Sequence, residues 1–138
     1  MSQKLLMLTC ILLSLRCSSQ NAIQDESLEI RYQAKTRGVS KIISFQRGVV
    51  QSDNNGEKKT VVLSKDQINQ IYKTIASINL KAINSLESPT KKRYTDGALF
   101  ASLSIQTKEG NYTSNEFDDG VPPDELKPIY ELLKKYSQ

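Results

Sequence analysis

The candidates for acid–base chemistry in this chain are three aspartates, Asp96, Asp118 and Asp119, because its 138 residues include no histidine. A pair of carboxylates can hydrolyse a glycosidic bond when the groups lie about 5–9.5 Å apart and one has a raised pKa. Two of the aspartates, however, precede glycines, as Asp96-Gly97 and Asp119-Gly120. This pairing is typical of turns, because the carboxylate accepts nearby backbone N–H groups and glycine adopts positive φ. The turn role is the favoured interpretation, and no catalytic residue is assigned.

A run of three cations, Lys91, Lys92 and Arg93, followed by Tyr94, is the main candidate for binding chemistry. Such a run could bind an acidic protein, lipid headgroups or an anionic polysaccharide, although most charge runs are simply solvated loops. Tyr94 favours binding, because aromatic and arginine side chains are enriched at the centres of interfaces.

The cations belong to an irregular segment, residues 86–97, whose charge and proline predict a solvent-facing loop. We predict that a partner-contact surface combines the loop Ser88–Gly97 with the nearby turn Phe117–Val121. The predicted contact residues are Lys91, Lys92, Arg93, Tyr94, Asp96, Phe117, Asp118 and Asp119.

Thiol chemistry and most metal chemistry are excluded from the greater part of the chain. Both cysteines, Cys10 and Cys17, lie within the first 17 residues. The remainder can therefore form no disulfide and no thiolate nucleophile. Because the chain also has no histidine, it can form no Ser–His pair and no His/Cys metal site. The oxygen-rich segments 53–57 and 115–119 lack the spacing of an EF-hand calcium loop, since Gly56 is fourth rather than sixth from Asp53. No metal and no cofactor is expected.

The first residues predict an export signal. Lys4 precedes an uncharged apolar run, Leu5–Leu15, which has the length of a signal-peptide h-region and is too short to span a bilayer. An apolar run that ends near a cysteine resembles a bacterial lipoprotein signal, and this resemblance implies a signal peptide over residues 1–16 and an acylated Cys17. Arg16 departs from the small residues usual at that position. The alternative is cleavage after Ser19 by an ordinary signal peptidase and soluble secretion.

Removal of residues 1–16 would leave 17 basic and 15 acidic residues, because Lys4 and Arg16 would be lost from the 19 basic residues. A net charge of +2 (17 − 15) gives little support to nucleic-acid binding. Residues 17–27 read as a lipid-anchor cysteine and a polar tether, and residues 28–138 as one domain.

Strands are predicted in two groups. Residues 28–37 alternate apolar and polar side chains, as in a strand with one buried face, and a second strand follows from Val39. The residues Asp53-Asn54-Asn55-Gly56 separate two further strands, and an Asn-Gly step favours a tight hairpin. A second hairpin is predicted from Leu99 to Phe117, with its turn at Glu109-Gly110-Asn111.

Two amphipathic helices are predicted. The first begins after Ser64, which with Gln67 can form a capping box, and ends at Asn79. The second follows Pro122-Pro123, with Asp124 and Glu125 expected in its first turn, where they would suit the helix dipole. Pro128 is compatible with this helix only within its first turn.

Three segments together carry a resemblance to a family. They are Gln33-Ala34-Lys35-Thr36-Arg37-Gly38, Ser88-Pro89-Thr90-Lys91-Lys92-Arg93-Tyr94-Thr95-Asp96-Gly97-Ala98 and Phe117-Asp118-Asp119-Gly120-Val121-Pro122-Pro123-Asp124-Glu125-Leu126. They resemble small exported proteins and lipoproteins of Bacteroidota-like bacteria that carry a domain of unknown function, over roughly residues 28–136. The resemblance implies the fold and export, and it implies no reaction.

The expected fold is α+β: an antiparallel sheet of about five or six strands with two helices packed on one face, in the order strands, helix, hairpin, helix. The expected function is that of a non-catalytic binding or assembly module of the bacterial cell envelope, lipid-anchored to a membrane, with an envelope protein or an anionic glycan as partner. A periplasmic or secreted soluble protein is the alternative location. The alternative function is an inhibitor of an envelope-directed lysozyme or protease, and the third is a minor carboxylate-dependent hydrolase.

Overall fold

A computed structural model of the chain describes residues 26–138. Within this range the fold is α+β, as predicted, with an antiparallel sheet and two helices. The strands are β1 (Glu29–Thr36), β2 (Val39–Gln46), β3 (Val49–Asn54), β4 (Glu57–Val62), β5 (Phe100–Thr107), β6 (Gly110–Thr113) and the short β7 (Phe117–Asp118). The helices are α1 (Lys65–Ala76) and α2 (Lys127–Tyr136), and 3₁₀ turns span Leu80–Ser85 and Lys92–Thr95. The predicted signal peptide, Cys17 and most of the tether lie outside the described residues.

The sheet has the order β4-β3-β2-β1-β5-β6, and β7 pairs with β5 on the same side as β6. Its two faces differ because side chains alternate along each strand. On β1, Ile30, Tyr32 and Ala34 are buried and define the inner face, whereas Arg31 between them is exposed. We call the face that carries Arg31 the outer face.

Both helices contribute to the core on the inner face. Ile71 and Ile75 of α1 and Ile129 and Leu133 of α2 belong to the same buried cluster as the inner-face residues, among them Phe45. A single apolar core therefore joins sheet and helices, as the amphipathic patterns predict.

The first helix begins as predicted and ends earlier. The Ser64 side chain accepts from the Gln67 N–H, and the Gln67 side chain accepts from the Ser64 N–H, which completes the capping box. The helix ends at Ala76 rather than at Asn79, because Ser77 closes it with a backbone N–H directed to Thr74 and Ile75. The helical spacing of Ile78 extended the prediction beyond the true end.

The second helix begins later than predicted. Asp124 and Glu125 lie in a turn that precedes it, and α2 starts at Lys127 with Pro128 in its first turn. Proline is tolerated there because the N–H it lacks would have had no partner within the helix. The expectation that Asp124 and Glu125 occupy the first helical turn is therefore wrong.

A β-bulge interrupts the return strand of the second hairpin, which was predicted as continuous. Ser114 remains opposite Leu103, with its N–H bonded to the Leu103 carbonyl at 2.9 Å and its hydroxyl accepting the Leu103 N–H at 3.1 Å. Phe117 is already opposite Ala101, so that Asn115 and Glu116 together face one residue of β5. The extra residue reverses the alternation, and it places Phe117 on the inner face and Asp118 on the outer face.

Within residues 26–138, no helix combines the length and the apolar character needed to cross a membrane.

Candidate functional site

The structure brings together the two segments that the predicted contact surface combines, and Asp118 joins them. Its Oδ2 accepts from the Thr90 hydroxyl and, at 2.7 Å, from the Lys92 N–H. Its Oδ1 accepts the Arg93 N–H and the Arg93 Nη1, each at 3.0 Å. One carboxylate therefore accepts the free backbone N–H groups at the start of the 3₁₀ turn Lys92–Thr95 and fixes the loop to β7. We call residues 88–97, held in this way, the anchored loop.

Arg93 is buried, with 6% of its surface exposed, so the expectation that all three cations face solvent is wrong for this residue. Its guanidinium forms an ion pair with Asp118, and its Nη1 also donates to the Ser88 hydroxyl and the Thr90 carbonyl, at 3.0 and 2.9 Å. A charge can be buried when it is paired and hydrogen-bonded in this way. Arg93 therefore stabilises the loop from within.

Phe117 and Asp118 are buried as well, with 1% and 0% of their surfaces exposed. Phe117 packs on the inner face, where its ring centroid lies 6.2 Å from that of Tyr32. Neither residue presents surface to a partner, which corrects their inclusion in the predicted contact set. Asp118 positions the loop, and Phe117 belongs to the core.

The surroundings of Asp118 and Arg93 shift the pKa values of both groups. Burial alone would raise the pKa of Asp118, but the bonds from Thr90, Arg93 and Lys92 outweigh it and hold the pKa far below its usual range. Burial would likewise lower the pKa of Arg93, yet the bonds to Asp118 and Tyr94 raise it. Both groups therefore stay charged at neutral pH.

Tyr94 is the main exposed aromatic of the anchored loop, with 64% of its surface exposed. Its ring lies over the Arg93 guanidinium, 4.3 Å from Cζ to the ring centroid, and its hydroxyl accepts from Arg93 Nη2 at 3.0 Å. Phe100 on β5 completes its support, in a T-shaped contact with 6.1 Å between the ring centroids. Lys91 and Lys92 are exposed beside it.

Asp119 makes its side-chain bonds at the edge of the inner face, whereas Asp118 bonds the anchored loop. Its Oδ1 accepts the hydroxyl of buried Tyr32 at 2.5 Å, and its Oδ2 lies 2.7 Å from Lys41 Nζ. The Tyr32 oxygen also accepts the Gly120 N–H at 3.3 Å. Burial and then the bond to Asp119 raise the pKa of Tyr32, and burial followed by the charge of Asp119 raises that of Tyr130.

Asp96 and Asp119 line one open depression of about 480 Å³, together with Thr36 and Leu99. Asp96 lies in a turn, as predicted, and its N–H closes the 3₁₀ turn on the Lys92 carbonyl. The positive φ, 57°, belongs to Asp96 rather than to Gly97. The predicted turn role of the Asp119 carboxylate is wrong, because it accepts from the side chains of Tyr32 and Lys41 rather than from backbone N–H groups. Among the described residues, no group of three or more Asp, Glu, His or Cys side chains is placed to hold a metal ion.

Sequence reasoning missed the residues that hold the site together: Ser88, Thr90, Tyr32 and Lys41. No spacing rule links Thr90 to Asp118 or Tyr32 to Asp119, because each contact depends on the packing of distant segments. The bulge at Asn115 and Glu116 was also missed. The only sequence signal for it is the apolar Phe117 directly before two aspartates.

A scan of the chain against protein-family models found no match, and a search of curated proteins found none either.

Proposed function

We propose that the protein is a non-catalytic binding or assembly module of the bacterial cell envelope. Its contact surface is the exposed side of the anchored loop, formed by Lys91, Lys92 and Tyr94. The observation that supports this most directly is an exposed aromatic ring fixed between a buried guanidinium and a sheet residue.

Preorganisation is the physical basis of the proposal. Association costs free energy whenever side chains and loops must be ordered. Asp118 already holds the backbone at Lys92 and Arg93, and Arg93 already holds the ring of Tyr94. A partner that contacts Tyr94 would order little further, and such aromatic side chains often dominate the energy of an interface.

The carboxylates support a non-catalytic role. Asp118 is buried and kept ionised, so it is unsuited to donate a proton. Asp119 is occupied by Tyr32 and Lys41. The depression shared by Asp96 and Asp119 is the one observation that favours a hydrolase, and steady turnover of a glycan or peptide that is lost in Asp96→Asn would establish that function instead.

Capture from envelope extract tests the contact surface. Wild-type protein is expected to retain a specific partner that Tyr94→Ala and the double charge reversal Lys91→Glu/Lys92→Glu fail to retain. Lys73→Glu, on an exposed position of α1, is the matched control and is expected to retain it. Equal capture by all four proteins would contradict the proposal.

The envelope location is part of the same proposal and depends on Cys17. Labelling with a radioactive fatty acid is expected to mark the wild-type chain and not Cys17→Ser. Label that persists in Cys17→Ser would refute the lipid anchor.

The anchored loop, bonded to Asp118 and with Tyr94 exposed, also favours the second candidate, an inhibitor of an envelope-directed lysozyme or protease. Addition of purified protein would then abolish the activity of such an enzyme in a saturable manner, and Tyr94→Ala would not. Full enzyme activity at saturating protein would leave the binding module as the proposal.

A further inference from the structure

The outer face carries a row of polar side chains that crosses the sheet. Arg31 stands opposite Ser44 on one side and Ser104 on the other. On one side, Ser44 pairs with Gln51, which pairs with Thr60. On the other side, Ser104 pairs with Thr113. Five strand spacings of about 4.8 Å give the row a length of roughly 24 Å. Its members are hydroxyls and an amide around one cation, and it contains no carboxylate.

Arg31 has no ion-pair partner among the described residues, where the ion pairs are Lys41–Asp119 and Arg93–Asp118. Its direct cross-strand neighbours are serines, which supply no compensating charge. A planar guanidinium presents paired N–H donors that match a carboxylate. The row therefore offers one site for an anionic group, flanked by neutral hydrogen-bonding groups.

This part of the outer face is concave. A depression of about 410 Å³ lies over β1 to β4. Its lining residues are Arg31, Ile42, Ser44, Gln51, Ser52, Asp53, Lys58, Lys59 and Thr60. Lys58 and Lys59 bring the lining to three cations. The one carboxylate of the lining, Asp53, stands opposite Lys58 and accepts the Gly56 N–H at 2.7 Å. The lining is mainly polar, unlike the centre of a protein–protein interface, which is depleted of charge and rich in aromatic residues.

We propose that this face binds an acidic polysaccharide, with a sugar carboxylate on Arg31 and sugar hydroxyls on Ser44, Gln51 and Thr60. The inference rests on the proposed binding role and adds to it a second surface, separate from the anchored loop, with a stated class of ligand. A linear sugar chain fits an extended row of short polar side chains in a concave surface. The surface of a lipid bilayer is too broad to enter such a depression. A protein partner would need an apolar centre for its interface, which this polar surface does not supply.

The test measures binding of the purified protein to polygalacturonate, a polymer of uronic acid, by isothermal titration calorimetry, with neutral dextran as the uncharged probe. Arg31→Gln is expected to weaken binding about tenfold or more, because a charge-assisted bidentate bond is lost. Arg31→Lys keeps the charge and loses the planar fork, so it is expected to fall between wild type and Arg31→Gln. Lys73→Gln removes one charge from α1 and is expected to bind like wild type.

Three results would overturn the inference: no binding of polygalacturonate by wild type, equal loss in Arg31→Gln and Lys73→Gln, or preferential binding to anionic phosphatidylglycerol vesicles. The proposed function fails separately. Loss of polymer binding together with Tyr94-dependent capture of an envelope component would reject only this inference. Arg31-dependent polymer binding together with equal envelope capture by wild type and Tyr94→Ala would reject only the loop surface.

Discussion

Asp118 and Asp119 are neighbours in the chain, yet they serve two different regions of the molecule. The Asp118 side chain is 1% exposed and pairs with an Arg93 side chain that is 6% exposed. The Asp119 side chain is 17% exposed, and its partner Lys41 is 46% exposed. One pair is sealed from water between the anchored loop and β7, and the other lies at the surface.

Burial, rather than the number of ion pairs, decides how much each aspartate contributes to stability. Water replaces a lost partner at the surface, so an exposed pair contributes little. Removal of one member of a buried pair leaves an uncompensated charge, which is strongly destabilising.

The largest effect is expected for Asp118→Ala, which should lower the free energy of unfolding by about 3–5 kcal/mol because Arg93 is left charged and buried. Urea unfolding followed by circular dichroism measures it. Asp124→Ala, at an exposed turn, is the matched control and should change stability by less than about 0.5 kcal/mol. The double variant Asp118→Ala/Arg93→Met should recover much of the loss, and equal losses in Asp118→Ala and Asp124→Ala would contradict the contrast.

The next largest effect is expected in acid, which should lower the stability that the Asp118–Arg93 pair contributes. The pKa of Asp118 is lower in the folded protein than in the unfolded chain, so its contribution is complete above the unfolded value of about 3.9 and is lost as the pH falls below it. Urea midpoints measured from about pH 6 to about pH 2.5 should therefore fall less steeply in Asp118→Asn than in wild type. Parallel curves for the two proteins would disprove the assignment.

A smaller loss, about 1–2 kcal/mol, is expected for Asp119→Ala, because the Tyr32 hydroxyl loses its acceptor while Lys41 stays hydrated. Tyr32→Phe tests the same bond from the other side, and a double-mutant cycle should give a coupling energy of about 1 kcal/mol. A loss as large as that of Asp118→Ala would remove the distinction between the two regions.

The smallest effect is expected in alkali and concerns only the Asp119 region. The folded-state pKa of Tyr32 is raised, so its contribution is complete below the unfolded value of about 10 and is lost as the pH rises above it. Relative to their stabilities at neutral pH, wild type should lose more than Tyr32→Phe when the pH is raised to about 11. Identical alkaline losses would show that the Tyr32 hydroxyl does not titrate with folding.

Much of the fold could be predicted because its determinants are local. Alternation along β1, the Asn55-Gly56 turn and the capping box of Ser64 and Gln67 all appear in the structure where the sequence placed them. Two helix boundaries were predicted less accurately. The end of α1 was placed too late, at Asn79, because the apolar spacing continues past the last helical hydrogen bonds. The start of α2 was placed too early, because acidic residues precede Lys127.

The candidate site could be predicted only in outline. The sequence joined the loop Ser88–Gly97 to the turn Phe117–Val121, and the structure joins them through Asp118. Which cation of the run turns inward depends on the position of a carboxylate 25 residues away, and no local pattern carries that information. Arg93 was therefore predicted as a contact residue when it supports the loop from beneath.

The bulge at Asn115 and Glu116 has a consequence for how this protein can tolerate changes in length. Loss of one of these two residues would move each following side chain of the strand to the opposite face of the sheet. The ring of Phe117 would leave the core, and the Asp118 carboxylate would enter it. The β3–β4 turn, by contrast, ends at exposed residues and could lengthen with little harm. Insertions and deletions in natural variants should therefore accumulate at the hairpin tips and spare the interval between Ser114 and Phe117.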